Sequence, residues 1–188
     1  VTTTYYGRYE SSCGNSNCQS VTVTVTDLPQ PPASAQSDRD NFCSSDDGNI
    51  ELSVTGGSGT DVHWFTSSCG DTEIGTGNPL VIESPETTTT YFGRWENSCG
   101  VTVCQNVTVT VIQSADATIN EAGPLCETGD PIVMTAAQIG GTWSGTAIDP
   151  GTGLFDPEVA GPGDFVITYT ITGTCGDTDD ITISVLEL

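Results

Sequence analysis

The stretch TTTYYGRYESSCGNSNCQSVTVTV, residues 2–25, returns almost unchanged as TTTYFGRWENSCGVTVCQNVTVTV, residues 88–111. Aligned at an offset of 86 residues, positions 1–25 and 87–111 are identical at 17 sites. In the second copy Val107, Val109 and Val111 alternate with Thr108 and Thr110, the period of two that is typical of a strand with one buried face. Each copy therefore predicts a long hairpin, and the repetition predicts a chain of similar domains.

The rest of the chain also favours strands. The 188 residues include 22 Gly and 10 Pro with abundant Thr, Ser and Val, and no window keeps apolar residues at helical spacing. We expect an all-β protein with three parts: residues 1–26, the last hairpin of a partial domain; residues 27–112, a complete domain; and residues 113–188, another. Because the sequence begins inside the repeated segment, we expect it to be a piece of a longer chain.

Alternating patterns locate the strands of the two larger parts. In residues 27–112 they are IELSV (50–54), DVHWFTS (61–67), NPLVIES (78–84), TTTYFGRWE (88–96) and VTVCQNVTVTV (101–111). In residues 113–188 they are PIVMTA (131–136), GTWSG (141–145), LFDP (154–157), FVITYTITGTCG (165–176) and DDITISVLEL (179–188). A strand Trp and a Tyr near the start of the penultimate strand are typical of immunoglobulin-like cores, so we expect Trp64, Tyr91, Trp143 and Tyr169 to be core residues. The predicted fold is a series of tandem immunoglobulin-like Greek-key β-sandwiches.

The charge balance excludes several partners. The chain has 25 acidic residues, three arginines and no lysine, for a formal net charge of −22. Nucleic acid needs a basic footprint, and so does a polybasic membrane contact. We therefore expect neither partner, and no apolar run is long enough for direct membrane insertion.

Eight cysteines in small β domains predict disulfide staples and an oxidising compartment: Cys13, Cys18, Cys43, Cys69, Cys99, Cys104, Cys126 and Cys175. Zinc is the rival, but the Cys-x₄-Cys spacings lack a second close pair, and His63 is the sole histidine.

The strand topology predicts which cysteines pair. Cys13 and Cys18, like Cys99 and Cys104, flank a hairpin tip and are expected to close their own loops. Cys43 and Cys69 are expected at the same end of one sandwich. Elimination leaves Cys126 with Cys175, although their corners should lie at opposite ends. Either the strand register of the third part differs, or one of these two cysteines bonds outside its own domain.

Few other residues suggest a metal-binding or catalytic site. Two acidic clusters could supply calcium ligands, though neither has the spacing of a calcium loop: Asp38, Asp40, Asp46 and Asp47 in the first, and Asp177, Asp179 and Asp180 in the second. We expect them mainly to form solvated turns, and no other cofactor is expected. Arg8 and Arg94, at matching places in the repeat, are each expected to lie over an aromatic ring and pair with a nearby glutamate. His63 has no triad or metal partner of its own type, so no enzymatic activity is expected.

The segments WFTSSCGDTEIGTGNPLVI, PETTTTYFGRWENSCG and GGTWSGTAIDPGTGLFDPEVAGPGDFVITYTITGTCG resemble the immunoglobulin-like repeats of giant surface adhesins of Bacteroidota-type bacteria. Gliding-motility adhesins and the hook-like filaments of predatory bacteria are of this type. The resemblance implies type IX secretion, an extracellular or cell-surface location and no catalytic residues.

These observations lead to two expectations about function. The first is a structural segment of a long adhesive filament or surface adhesin, mediating cell-surface or cell–cell attachment, including attachment to prey. Its partners would be other copies of the chain, adjacent repeats of a longer chain, and a cell-surface receptor or glycan. The alternative is a carbohydrate-binding or spacer module of a secreted cell-surface enzyme.

Overall fold

A computed structural model describes residues 2–187 and shows a nearly all-β, immunoglobulin-like protein. Val1 and Leu188, the outer limits of the predicted parts, lie outside the described residues. Below, repeat 1, repeat 2 and repeat 3 denote residues 1–26, 27–112 and 113–188. The backbone instead divides into two interleaved compact units: unit 1 (residues 1–40, 48–84 and 89–109) and unit 2 (residues 41–47, 85–88 and 110–188). The repeat boundaries therefore stay a prediction.

Unit 1 begins with the isolated hairpin of repeat 1. Its elements are β1 (Thr2–Gly7), β2 (Glu10–Ser11), β3 (Gly14–Asn15) and β4 (Gln19–Thr24). Strands β1 and β4 pair antiparallel, from Thr2 opposite Thr24 to Gly7 opposite Gln19, and they form a sheet of two strands only. The predicted hairpin is present, but neither of its faces is buried.

The remainder of unit 1 holds two sheets. Its strands are β5 (Ser34–Ser37), β7 (Asn49–Thr55), β8 (Asp61–Thr66), β9 (Thr72–Thr76), β10 (Leu80–Glu83), β11 (Thr89–Asn97), β12 (Gly100–Val101) and β13 (Gln105–Val109). One sheet has the order β10-β7-β5. In the other, β11 is central, with β13 and β12 on one side and β8 followed by β9 on the other.

The core of unit 1 comes from the alternating faces of these strands. Ile50, Leu52 and Val54 of β7 are buried while their neighbours are not, as expected for one face on the core. From the other sheet, Trp64 and Val109 are fully buried. The Trp64 indole N–H donates to the carbonyl of Gly77 at 3.0 Å, which satisfies its polar group.

Unit 2 is also a β-structure. Its strands are β6 (Phe42–Cys43), β14 (Val111–Ile112), β15 (Leu125–Cys126), β16 (Ile132–Val133), β17 (Thr142–Ser144), β18 (Leu154–Phe155), β19 (Gly163–Ile171) and β20 (Asp177–Leu186). The main sheet has the order β15-β20-β19-β17, β16 pairs with β18, and β6 pairs parallel with β14. A short helix, α1 (Pro157–Ala160), is capped by the Asp156 carboxylate and was not expected from the sequence.

The core of unit 2 is built around an aromatic pair. Trp143 and Tyr169 face each other across β17 and β19 with ring centroids 4.4 Å apart. The Tyr169 hydroxyl accepts from the Gly141 N–H at 2.7 Å and donates to the Gln138 carbonyl at 3.0 Å. Phe155 and Ile183 also belong to this core and are fully buried. These contacts place the apolar rings inside and leave the strand ends and turns, where the cysteines lie, near the surface.

Candidate functional site

One disulfide closes unit 1 and joins Cys69 to Cys104. Cys69 lies in the turn after β8, and Cys104 comes just before β13. Since β8 and β13 pair with opposite sides of β11, this bond bridges the strand between them. The predicted pairs Cys43–Cys69 and Cys99–Cys104 are therefore wrong, because adjacency across the sheet, rather than closeness in sequence, brings the thiols together.

Arg94 lies beside this disulfide. Its guanidinium is 4.7 Å from the Phe65 ring centroid, and its Nε and Nη2 contact Oε1 of Glu96 at 2.8 and 2.7 Å. Its Nη1 is 3.9 Å from the Cys69 sulfur. The expected arrangement of aromatic ring and glutamate is present, with Phe65 as the ring.

His63 lies on β8 between two carboxylates. Its Nδ1 is 3.1 Å from Glu73 and its Nε2 is 3.9 Å from Glu96. Glu96 is also held by Arg94, so His63, Glu73, Glu96 and Arg94 form one network of polar contacts. The groove beside it is lined by polar residues including Thr60, Asp61 and Asn97.

Tyr91 shows how completely the face of β11 is covered. The residue is 4% exposed, and burial raises the pKa of its hydroxyl above the ordinary value, with a hydrogen bond to the Thr89 side chain acting in the opposite direction. The counterpart of Tyr91 in repeat 1 is Tyr5, which is 58% exposed.

The apolar face of the first hairpin is therefore exposed where the same residues are buried in repeat 2. Val23 is 46% exposed, whereas the matching Val109 is inaccessible. The first hairpin therefore matches the last hairpin of repeat 2 in sequence and differs from it in exposure.

A second disulfide, in unit 2, joins Cys43 to Cys175. Cys43 ends the short strand β6, and Cys175 lies in the turn between β19 and β20. The carbonyl of Cys175 accepts from the Ala115 N–H at 2.8 Å. The predicted pair Cys126–Cys175 is wrong, and the alternative, that one of these cysteines bonds outside its own repeat, describes what the structure shows for Cys175.

Four of the eight cysteines expected in disulfides are exposed free thiols in this chain: Cys13, Cys18, Cys99 and Cys126. The predicted Cys13–Cys18 bond is thus also wrong. Residues 10–15 form the small β2–β3 turn, which leaves Cys13 at its tip while Cys18 follows outside it.

The carboxylates of the acidic clusters mainly accept hydrogen bonds from backbone N–H groups. Asp38 accepts from the Glu51 N–H and Asp46 from the Cys43 N–H, while Asp177 and Asp179 accept from Ala117 and Ile119, all between 2.7 and 3.1 Å. These bonds fix turns and strand edges. Residues 2–187 contain no group of three His, Cys, Asp or Glu side chains arranged to hold a metal ion. Calcium binding by the acidic clusters, including Asp40, Asp47 and Asp180, stays a prediction.

Comparison with known proteins gives a family match for most of repeat 2. Residues 29–112 match the family described as "Ig-like domain CHU_C associated", and no curated protein matches the chain. One solved structure similar to it is that of protocadherin gamma B2 extracellular cadherin domains 1–5, with 11% identity and a TM-score of 0.40. The alignment covers 99% of this chain and 45% of the protocadherin chain. Residues 29–112 are thus similar to an immunoglobulin-like domain of this description.

No helix within residues 2–187 combines the length and apolar character needed to cross a membrane. The two disulfides indicate an oxidising compartment, since thiols stay reduced in most cytosols.

Proposed function

We propose that this chain is a structural segment of a long extracellular adhesive filament or surface adhesin built from repeated immunoglobulin-like domains. In this proposal it is exported by the type IX route and mediates attachment of a cell to a surface, a receptor or glycan, or another cell, including prey. No residue acts as a catalyst. Function comes from reach, stiffness and resistance to extension.

The observation that carries the proposal is the Cys43–Cys175 disulfide. Its two cysteines are 132 residues apart and belong to different sequence repeats, although both lie in unit 2. A covalent bond of this kind lies in parallel with the backbone, so a pull on the chain does not extend the residues between the two cysteines. That property suits a load-bearing fibre.

The high negative charge fits the same role. A net charge of −22 on 188 residues keeps a crowded surface protein soluble and discourages nonspecific aggregation. The absence of lysine also removes half of the sites that a trypsin-like protease would cleave.

The alternative, a carbohydrate-binding module, would present aromatic rings on an exposed sheet face. Within residues 2–187 the strongly exposed aromatics are Tyr5, Tyr6 and Tyr9 of the first hairpin. Their counterparts in repeat 2 are Tyr91, which is buried, and Phe92 and Trp95, which are half-buried. The exposure thus belongs to the uncovered hairpin, and the filament has the stronger support.

Electron microscopy of the native material tests the proposal. We expect regular filaments with a repeat along the axis, and loss of cell attachment when they are sheared off. Dispersed monomers, with attachment unchanged after their removal, would contradict it.

A further inference from the structure

We propose that a cavity in unit 2 binds one uncharged sugar residue of a glycan, and that the indole N–H of Trp143 donates to an oxygen of that sugar. This inference deepens the proposed adhesive function and rests on it, because it names the chemical class of the ligand on the attached surface. The site is not an exposed aromatic sheet face, since its aromatic residues are buried and form the inner wall of the cavity.

The cavity lies beside the aromatic pair of unit 2 and has a volume of about 310 Å³. Small-molecule sites in proteins span about 300–1,000 Å³, so this cavity suits a single ring better than a long ligand. The buried side chains of Met134, Trp143 and Tyr169 contribute to its lining. Ile139 also lines it and is 91% exposed, so the cavity opens to solvent beside this residue.

Trp143 supplies a hydrogen-bond donor that the protein itself leaves unused. Within residues 2–187 no group accepts from its indole N–H, and no enclosed side-chain nitrogen or oxygen there lacks a partner. The N–H must therefore reach solvent. Because Trp143 is only 6% exposed and lines the cavity, we place that solvent contact in the cavity.

The turn before β18 forms the cavity wall next to this N–H. Gly151 and Thr152 line the cavity, and a Cβ on Gly153 would lie only 2.7 Å from Nε1 of Trp143. The Asp149 carboxylate holds the turn, since it accepts from the backbone N–H groups of Gly151 at 3.0 Å and Thr152 at 2.7 Å. A wall that is ordered before binding lowers the entropic cost of holding a ligand.

The other two tryptophans have no such unused donor. The Trp64 indole N–H donates to the Gly77 carbonyl at 3.0 Å, and that of Trp95 donates to the Gly56 carbonyl at 2.9 Å. A buried indole N–H usually has an acceptor of this kind. The N–H of Trp143 is therefore the one that remains available to an acceptor on a ligand.

Gln138 provides a second donor at the same cavity. Its side-chain oxygen accepts from the Asp116 N–H at 3.0 Å, and within residues 2–187 its NH₂ group has no acceptor. Two donors therefore lie near the apolar side chain of Met134. A sugar ring matches this combination, because it carries oxygen acceptors around its edge and C–H groups on its faces.

The absence of charge in the cavity selects an uncharged sugar. Among the described residues that line it, none is Asp, Glu or Arg, so the lining offers no ion pair to a charged ligand. The net charge of −22 on the whole chain also repels anions. Acidic sugars such as glucuronic acid are therefore disfavoured.

The test is a sugar titration of the purified chain, followed by the ¹H–¹⁵N NMR signals of its three indole N–H groups. The probes are the methyl glycosides of glucose, galactose, mannose and N-acetylglucosamine, in which the methyl group stands for the glycosidic link of a glycan. We expect at least one of them to shift the Trp143 signal with a dissociation constant on the order of 1 mM, while the Trp64 and Trp95 signals stay in place. Glucuronic acid should require at least a tenfold higher concentration.

Variants separate the site from a general loss of folding, with binding followed by saturation transfer to the probe. Trp143→Phe should weaken binding at least tenfold, and its spectrum assigns the missing indole signal. Gln138→Glu keeps an oxygen for the Asp116 N–H but replaces the donor, and should weaken binding several-fold. The matched control Trp95→Phe removes an indole outside the cavity and should leave binding unchanged.

Several results would overturn the sugar site: no shift of the Trp143 signal with any neutral probe, equal shifts of all three indole signals, or equally tight binding of glucuronic acid. Wild-type affinity in Trp143→Phe would do the same. Filaments that attach cells although the chain binds none of the sugars would reject the site and leave the proposed function standing. Sugar binding at Trp143 in a chain that never forms filaments would support the site and reject the filament.

Discussion

At the residue scale, identical residues in the two copies of the hairpin have different environments. This difference determines how much each residue contributes to stability. Arg94 is 18% exposed in its side chain and lies over Phe65, whereas Arg8 makes the same contact with its glutamate at 46% exposure. Exposed ion pairs contribute little to stability, because water screens them and ordering both side chains costs entropy. The two arginines are thus a matched pair that differs in burial.

We predict that Arg94→Ala lowers the free energy of unfolding of unit 1 by about 1–2 kcal/mol, through loss of the ring contact and of the partly buried pair with Glu96. Arg8→Ala should change it by less than about 0.5 kcal/mol. Urea unfolding followed by tryptophan fluorescence measures both. Equal effects of the two substitutions would show that burial is not the deciding difference.

The disulfide within unit 1 gives a second prediction at this scale. The double variant Cys69→Ser, Cys104→Ser should lower the free energy of unfolding by up to about 4 kcal/mol, because a loop of this length then regains its entropy in the unfolded chain. Cys99→Ser, at an exposed free thiol, should have no measurable effect on stability. A double variant that unfolds at the wild-type urea concentration would contradict the pairing.

At the element scale, β11 is the strand on which unit 1 depends, since β8 and β13 pair on either side of it. Gly93, in its middle, has no room for a side chain: a Cβ there would lie 2.9 Å from both the Trp64 ring and Val54. The matching Gly7 in the first hairpin has nothing within 4 Å. A side chain at this position would therefore clash in repeat 2 but would have free space in repeat 1.

Gly93→Val should therefore destabilise unit 1 by about 1–3 kcal/mol through overpacking, whereas Gly7→Val should be neutral in the isolated chain. Thermal unfolding of both variants provides the measurement. In assembled material, where we expect the first hairpin to be covered, Gly7→Val should also become destabilising. A destabilising effect of Gly7→Val in the monomer would contradict its open environment.

The elements differ in how far the sequence predicts them. The alternation of valine and threonine is sufficient to predict β13 and its partner β11, because one buried face imposes a period of two. Strand β9 (Thr72–Thr76) and helix α1 are not predicted: the first lies in a Gly- and Thr-rich run without apolar alternation, and the second is a single turn that depends on the Asp156 cap.

The cysteine pairing is the part of the candidate site that sequence reasoning gets wrong. Spacing along the chain favours Cys99 with Cys104, yet β11 places Cys104 next to the turn that holds Cys69. Cys43 bonds a cysteine of another repeat, and nothing in the spacing within repeat 2 indicates this. The signal that could reveal it is the shared position of Cys43 and Cys126 before their turns, which only the strand register makes visible.

At the scale of the whole molecule, the net charge of −22 opposes contact between copies. The repulsion extends about 30 Å at 10 mM salt and about 8 Å at 150 mM, so added salt should make association easier.

We predict that the rate of disulfide cross-linking between copies rises several-fold between 10 and 150 mM sodium chloride. Electrophoresis of timed samples, quenched with an alkylating agent, measures that rate. Calcium chloride at equal ionic strength separates general screening from ion binding: a larger effect of calcium would support the predicted calcium sites. A rate that falls with salt would contradict the repulsion.

The central claim, that one disulfide closes a repeat and another joins it to the next, is tested most directly by mass-spectrometric disulfide mapping of the non-reduced native protein. The account predicts Cys69 linked to Cys104 and Cys43 linked to Cys175 as the dominant peptides. Peptides that instead link Cys99 to Cys104 and Cys43 to Cys69 would show that every repeat is closed upon itself, and would contradict it.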